Sequence, residues 1–386
     1  MPWKEVTVMQ EKEAFVAAAI QKEISFSQLC KEYGISRKTG YKWLARYYQE
    51  GTLSERSRKP HNMPNRTPPE MEQILLEERT EHPTWGPRKL ERHLLDQGYA
   101  DIPSKSTIGN ILKRNGRIEP EASEAATPFM RFERKKPNEL WQMDHKGDFG
   151  LLDNSRCFPL TVLDDMSRFD LCLHACSGTN HTEFWPVFMR LLEEYGLPDS
   201  ILCDNGKPWG DSRGGITTFD VRMMRMGVLP IHGRPLHPQT QGKEERFHRT
   251  LKNDLIKRKA FTDIQDAQKA FNIWRNEYNN ERPHEALNLD VPSKHYKASK
   301  KTLLEYDKPV EYESGKNLRK VNYKGYISIQ RRRYYLSESL IDEYIQINPC
   351  DDNIVALQYG QFEFAKIDLS EGLIISRRRS RVGSFK

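Results

Sequence analysis

Three acidic residues, Asp144, Asp204 and Glu245, stand where the sequence pattern puts a carboxylate within reach of a metal ion. Asp144 lies in Leu-Trp-Gln-Met-Asp-His-Lys-Gly-Asp-Phe (140–149). Period-two alternation there sends Trp141, Met143 and His145 to one face and Gln142, Asp144 and Lys146 to the other. Asp204 closes the apolar run 200–203 and precedes the turn signal Asn205-Gly206, which sets it at the carboxyl end of a strand, where ligands of open α/β sheets gather. The third acid requires a choice between neighbours. In the helix read over 240–255, Phe247, Leu251 and Leu255 form an apolar stripe. At about 100° per residue Glu244 projects into that stripe, while Glu245 falls on the far side with Gln241, Arg249 and Lys252. Glu245 is therefore the better ligand. Arg249 and Lys252 continue its face as a basic track. A metal-binding carboxylate beside phosphate-binding cations is what cutting a nucleic-acid backbone requires.

The competing reading is that acids are abundant: with 54 Asp and Glu, some favourable placement arises by chance. Asp148, Asp164 and Asp165 read as solvated turn residues, and His145, His237 and His248 as exposed histidines of polar segments. Trp209 reads as loop packing rather than as a platform for an unpaired base.

The elements that position these groups follow from the chain at large. Its 386 residues allow two to four domains, and a net charge of +7 leans toward a polyanionic partner. The basic residues concentrate in 36–60, 131–136, 243–259, 316–333 and 377–386, several separate surfaces that suit a long ligand. Six cysteines without a Cys-x-x-Cys pair read as reduced core thiols, and there is neither an apolar leader block nor a bilayer-length run. Those features predict a soluble cytoplasmic, nucleoid-associated protein.

Over 1–58 the pattern is a helix-turn-helix: a short helix through Tyr33, a break at Gly34-Ile35, and Ser36 capping a basic second helix from Arg37. The early residues of a second helix meet base edges, which nominates Arg37, Lys38, Thr39 and Lys42. Residues 66–117 read as a second such module, with helices 70–81, 87–97 and 104–115, the last capped by Ser104 and presenting Lys105 and Ser106. The bland alternatives are a helical hairpin and a helical spacer. A linker (118–136) follows, then an α/β domain (137–298) with strands 139–149, 156–165, 169–176, 199–203 and 228–232. The first three form an antiparallel meander, and the crossover helix 182–195 returns the fourth strand parallel to the first. A helix lies around 216–226, the Pro/Gly-rich segment 233–242 reads as mobile, and helix 263–281 closes the domain. Short alternating strands over 320–376 predict a small β-barrel, with a basic tail 377–386.

Trp141-Gln-Met-Asp144, Leu163-Asp-Asp-Met-Ser-Arg168, Asp204-Asn-Gly206, His237 to Lys252 and Tyr278-Asn-Asn-Glu-Arg-Pro-His284 together resemble the integrase core of bacterial insertion-sequence transposases. These are DDE-superfamily enzymes related to retroviral integrases. The resemblance implies an RNase H-like core whose Asp144, Asp204 and Glu245 are the catalytic and metal-binding triad for two Mg²⁺ ions, with Mn²⁺ as substitute. It further implies terminal repeats and target DNA as partners, at least a dimer in the active complex, and strand cleavage followed by joining of the 3′-hydroxyl to target. One departure is that the interval from Asp204 to Glu245 is somewhat longer than in the retroviral relatives, with the surplus in the 206–216 loop. A DNA-binding regulator with a dead core is the alternative, and its signature, loss of one acid, is missing. A plain RNase H-like nuclease would have little use for two DNA readers.

Overall fold

The computed structural model describes residues 7–55, 67–118, 134–206, 208–210, 215–233, 242–303 and 309–377, in two units divided at Arg66 and Thr67. Most of the 51–69 and 118–136 linkers, the basic tail and segment 234–241 fall outside the described residues.

The first unit is three helices: α1 (Val8–Gln21), α2 (Phe26–Glu32) and α3 (Arg37–Glu50). Each start is capped by a hydroxyl: Thr7, Ser25 and Ser36 accept from the backbone N–H three residues on, satisfying donors that a helix leaves orphaned. Phe15, Val16, Leu29, Cys30 and Trp43 form the core. Gly40 lets α3 approach closely, since a Cβ there would come within 2.9 Å of Cys30 Sγ and the rings of Phe15 and Phe26.

The second unit begins with α4 (Pro69–Glu81), α5 (Pro87–Asp96) and α6 (Lys105–Arg114), packed around Leu75, Trp85, Leu90, Leu94, Ile108 and Ile111. Ser104 caps α6 through Thr107 N.

Next comes a mixed sheet. Strands β1 (Trp141–His145), β3 (Arg156–Asp164) and β4 (Asp170–Cys176) are antiparallel, and β5 (Ser200–Cys203) and β6 (Leu229–His232) continue in parallel from β1. The order is β4-β3-β1-β5-β6, the five-stranded meander and crossover that the sequence predicts. The first strand is shorter than expected: it stops at His145 and resumes as the two-residue β2 (Phe149–Gly150), which pairs with β3. Proline explains the break. Lys146 N still donates to Pro159 O at 2.9 Å, but Pro159 has no N–H to return the bond. Helix α7 (His181–Tyr195) and α8 (Thr218–Arg225) make the crossovers, burying Phe184, Phe188, Phe219 and Met223 against one face. Helices α9 (Gly242–Leu251) and α10 (Ile264–Asn280) cover the other with Phe247, Leu251, Phe271, Trp274 and Tyr278. A π-helical turn, Lys252–Ile256, continues α9.

The C-terminal strands correct one expectation. β7 (Leu318–Lys320), β10 (Tyr344–Asp351), β11 (Ile354–Tyr359), β12 (Phe362–Asp368) and β13 (Leu373–Arg377) form an open antiparallel sheet in the order β13-β12-β11-β10-β7. The hairpin β8 (Tyr326–Ile329) and β9 (Arg332–Tyr335) pairs only with itself among the described residues. No closed barrel forms there, because the hairpin lays Ile327, Ile329 and Tyr334 into the sheet's core instead of joining β7 to β13. Val221 and Met224 of α8 pack into the same cluster, and Arg225 pairs with Glu343, so the open sheet is roofed by its own hairpin and by a core helix. No described helix is long and apolar enough to cross a membrane.

Candidate active site

Asp144 is the fourth residue of β1, on the strand that joins the antiparallel half of the sheet to the parallel half. Asp204 follows β5 immediately, and β5 pairs with β1 in parallel, so the two carboxylates issue from the carboxyl ends of adjacent strands. Helix α9 packs beside β1 and presents Glu244 and Glu245 in its first turn. Their facing is as the spacing predicts: Glu244 is fully buried with Phe247 and Leu251, whereas Glu245, Arg249 and Lys252 are exposed.

The acids feel one another. Burial first, then the charges of Asp204 and Glu245, push Asp144 up to about 7, so the three sequence-nominated carboxylates share one electrostatic site. Their oxygens are not yet gathered: among the described residues, no set of three ligand atoms from this site lies mutually within 4.8 Å. Hard oxygen donors that repel one another in this way suit a divalent cation such as Mg²⁺ or Mn²⁺, which replaces repulsion by attraction.

Asp204 and Asp144 are braced from behind. Trp209 Nε1 donates to Asp204 Oδ1 at 2.6 Å and Gly206 N donates to the same oxygen at 2.9 Å. Trp209 is buried and stacks on His145 at 5.0 Å between centroids, so the loop-packing reading of this residue holds. His232, at the end of β6, links Asp220 at 2.7 Å to the carbonyl of Asp204 at 3.1 Å. Behind Asp144, Thr161 Oγ1 lies 3.1 Å from Glu244 Oε2 and 2.9 Å from His248 Nε2, and His248 Nδ1 lies 3.9 Å from Asp144 Oδ2. Burial, then Lys146 and His145, depress His248 to about 3, so its ring is neutral. Glu244 is raised well above the ordinary carboxylate range by burial and by Asp144. Burial, followed by Lys252, lowers Lys146 as well; the two ammonium groups face the same region.

Several sequence readings need correction here. His145 and His248 are half-buried in the site rather than exposed. Asp164 and Asp165 are buried, not solvated: Asp164 accepts from Ser167 and from Asn138 N, and Asp165 accepts from Gln142 Nε2 at 2.6 Å and pairs with Lys243. They fasten the β3–β4 turn to the base of β1 and to α9. Asp148 is exposed and paired with Arg156. The polar-face position of Lys146 is visible in the alternation of β1. The roles of Thr161 and His248 depend on β3 and α9 meeting, which no local pattern signals.

On the candidate DNA-contacting faces, Arg37, Lys38, Lys42, Lys105 and Ser106 are exposed and Thr39 is half-buried.

Comparison with known families matches residues 226–292 to the integrase core domain, 39–112 to a homeodomain-like domain and 11–61 to a helix-turn-helix domain. Over these segments the chain is similar to integrase-core and helix-turn-helix proteins, and its curated relatives include insertion-element proteins. The integrase core match covers α9 and α10; Asp144 and Asp204 lie outside it. Among curated relatives, "Insertion element IS407 uncharacterized 31.7 kDa protein" of Burkholderia multivorans is 27% identical over 41% of this chain and 54% of its own. "Insertion element IS476 uncharacterized 39.2 kDa protein" of Xanthomonas euvesicatoria is 29% identical over 41% of this chain and 44% of its own. The chain thus spans about half the length of these relatives. Among solved structures, the HTLV-2 integrase catalytic core in complex with magnesium is 15% identical over 42% of this chain and 98% of its own, with a TM-score of 0.32, a loose superposition.

Proposed function

We propose that this integrase-core protein is a DDE transposase. It binds the terminal repeats of a mobile DNA element, cuts DNA at the element's ends by metal-assisted hydrolysis and joins the freed 3′-hydroxyl ends to target DNA. The observation that carries the reading is Asp144 on the strand beside the one that ends at Asp204, its carboxyl pushed up by burial and then by the charges of Asp204 and Glu245.

Asp144, Asp204 and Glu245 would hold two divalent ions, Mg²⁺ or Mn²⁺. When bound, such a pair activates the attacking hydroxyl and stabilises the departing oxygen. Trp209 and Gly206 fix the rotation of Asp204 through one oxygen. Buried Glu244, bonded to Thr161 and flanked by His248, supports the strand beneath Asp144. Lys146 just after β1, with Arg249 on α9 and Lys252 at the start of the π-helical turn, supplies positive charge for the flanking phosphates, each neutralised phosphate adding salt-dependent affinity. The helix-turn-helix faces carrying Arg37, Lys38, Thr39 and Lys42, and Lys105 and Ser106, would read the ends. Reaction at two ends calls for at least a dimer.

The test is incubation with DNA carrying candidate element ends, with Mg²⁺ and with chelator, on sequencing gels. Metal-dependent nicking at the element boundary and joined products are expected. End binding without any strand cleavage would favour the regulator with an inactive core, and cleavage without end selectivity the plain nuclease.

A further inference from the structure

Away from the carboxylate site, one set of side chains among the described residues brings three possible metal-ligand atoms within 4.8 Å of one another: Glu78, His82 and His93. Glu78 and His82 sit one turn apart, on α4 and its C-cap, and His93 lies on α5, so the helical module's own turn closes the set. Glu78 Oε2 is 3.5 Å from His93 Nε2 and 3.9 Å from His82 Nε2, separations close to the edge of a small coordination polyhedron with metal–ligand bonds of about 2.0–2.2 Å. That oxygen is buried and accepts no hydrogen bond. His93 is 7% exposed.

The outer contacts of His82 have the form that metal-binding histidines use. Its Nδ1 lies 3.0 Å from Glu277 Oε1, a carboxylate contributed by α10 of the integrase core, and its ring stacks on Trp85 at 3.8 Å and 8°. With the Nδ1 proton given to Glu277, Nε2 of a neutral ring carries a lone pair directed toward Glu78. Two lone-pair donors facing each other across 3.9 Å need a cation between them. A carboxylate that orients the ligating ring through its other nitrogen is the usual second layer of a zinc site. Gln97, whose amide nitrogen is placed 2.8 Å from His93 Nε2, can swap its amide ends and turn its oxygen inward.

We propose that Glu78, His82 and His93 form a transition-metal site, selective for Zn²⁺ over Mg²⁺, with Glu277 as the residue that orients His82. Two imidazoles and one carboxylate are a borderline-soft donor set, unlike the all-oxygen set around Asp144. Water or Gln97 completes the coordination. Because Glu277 belongs to the helix that packs on β4 while the ligands belong to α4 and α5, the ion ties the second helical module to the core. The alternative filling is a proton on His82 bridging the two glutamates.

The experiment titrates tag-free, metal-stripped full-length protein with Co²⁺ in excess Mg²⁺, following visible ligand-field absorption and melting temperature. One Co²⁺ per chain, displaced by Zn²⁺ and raising the melting temperature, is expected. His82→Gln and His93→Gln should abolish it, Glu277→Gln should weaken it by about 10–100-fold, and Asp144→Asn should leave it unchanged. If the histidine variants do not fold, the wild-type titration and the Glu277→Gln variant decide. Absence of the absorption and of any Zn²⁺-dependent melting shift in the wild type overturns the site in favour of the protonated pair. A signal lost in Asp144→Asn, or unaffected by Glu277→Gln, overturns it equally.

Discussion

Thr161 stands directly opposite Asp144 across the β1–β3 pair, and its hydroxyl lies 3.1 Å from Glu244 Oε2. The strand ladder thus connects the acid on the sheet to the buried acid of α9, while Glu245, one residue further along, turns outward. Adjacent glutamates in one helical turn have opposite environments.

That contrast predicts opposite outcomes for two conservative changes. Glu245→Gln removes a charged ligand and should reduce cleavage by about 10³-fold, the scale of losing one charge-stabilising group at a reacting centre. Glu244→Gln puts an amide of the same shape in place of a carboxyl raised well above the ordinary range by burial, and should cost under about 1 kcal/mol of stability and little activity. Melting curves and single-turnover cleavage check both, and a reversed ranking would reassign the third ligand to Glu244.

Asp144 sets a pH dependence. Its carboxyl titrates near 4 in the unfolded chain and at about 7 in the folded, metal-free one. Between these values the folded state binds the extra proton, so the contribution of this group is fully present at acid pH and is lost as pH rises toward 7. In chelator, Asp144→Asn should therefore melt above the wild type at pH 7 and converge with it near pH 4. Mg²⁺ should stabilise the wild type at pH 7 and leave the variant unmoved. Asp144→Asn should also abolish cleavage while end binding survives, as a mobility-shift assay would report.

Asp254, in the π-helical turn, accepts from Arg282 Nη1 at 2.5 Å and from Thr84 Oγ1 at 2.5 Å, with Arg282 buried. Asp254→Ala leaves that guanidinium without its carboxylate and should cost about 3–5 kcal/mol. Thr84→Ala, which removes only a hydroxyl, should cost about 1 kcal/mol. Denaturant titration separates the two.

The exposed first turn of α3 predicts an electrostatic signature. Arg37→Ala or Lys38→Ala should weaken binding to element ends and lower the slope of log affinity against log salt by about 0.9 for each phosphate that the variant no longer neutralises. A weakening confined to one end sequence, with the slope unchanged, would mark a base-reading side chain instead.

Much of the core is legible in the chain because its signals are local. Alternation in β1, the apolar run of β5, the i+4 stripe of α9 and the Ser36 and Ser104 caps each dictate an element from its own residues. Where the pattern misleads, the environment comes from distant partners. Asp164 and Asp165 resemble turn acids until Asn138 N reaches the first and β1 and α9 bring Gln142 and Lys243 to the second. His248 resembles a surface histidine until β3 supplies Thr161. The C-terminal strands are visible one by one, but closure depends on whether the first and last strands pair, and no residue encodes that alone.

The widened turn at Lys252–Ile256 acts as a phase shift in the helix that starts at Gly242. One surplus residue advances everything beyond Leu251 by roughly a quarter of a revolution relative to an unbroken α-helix. Glu245 and Arg249 keep the angular frame of the sheet, whereas Asp254 takes a different bearing, toward Arg282 and Thr84. Excising a single amino acid from that stretch would restore the ordinary pitch and leave the acidic face where it is, but swing Asp254 off its anchors. A shortening of one position would then behave like an uncoupling of two modules.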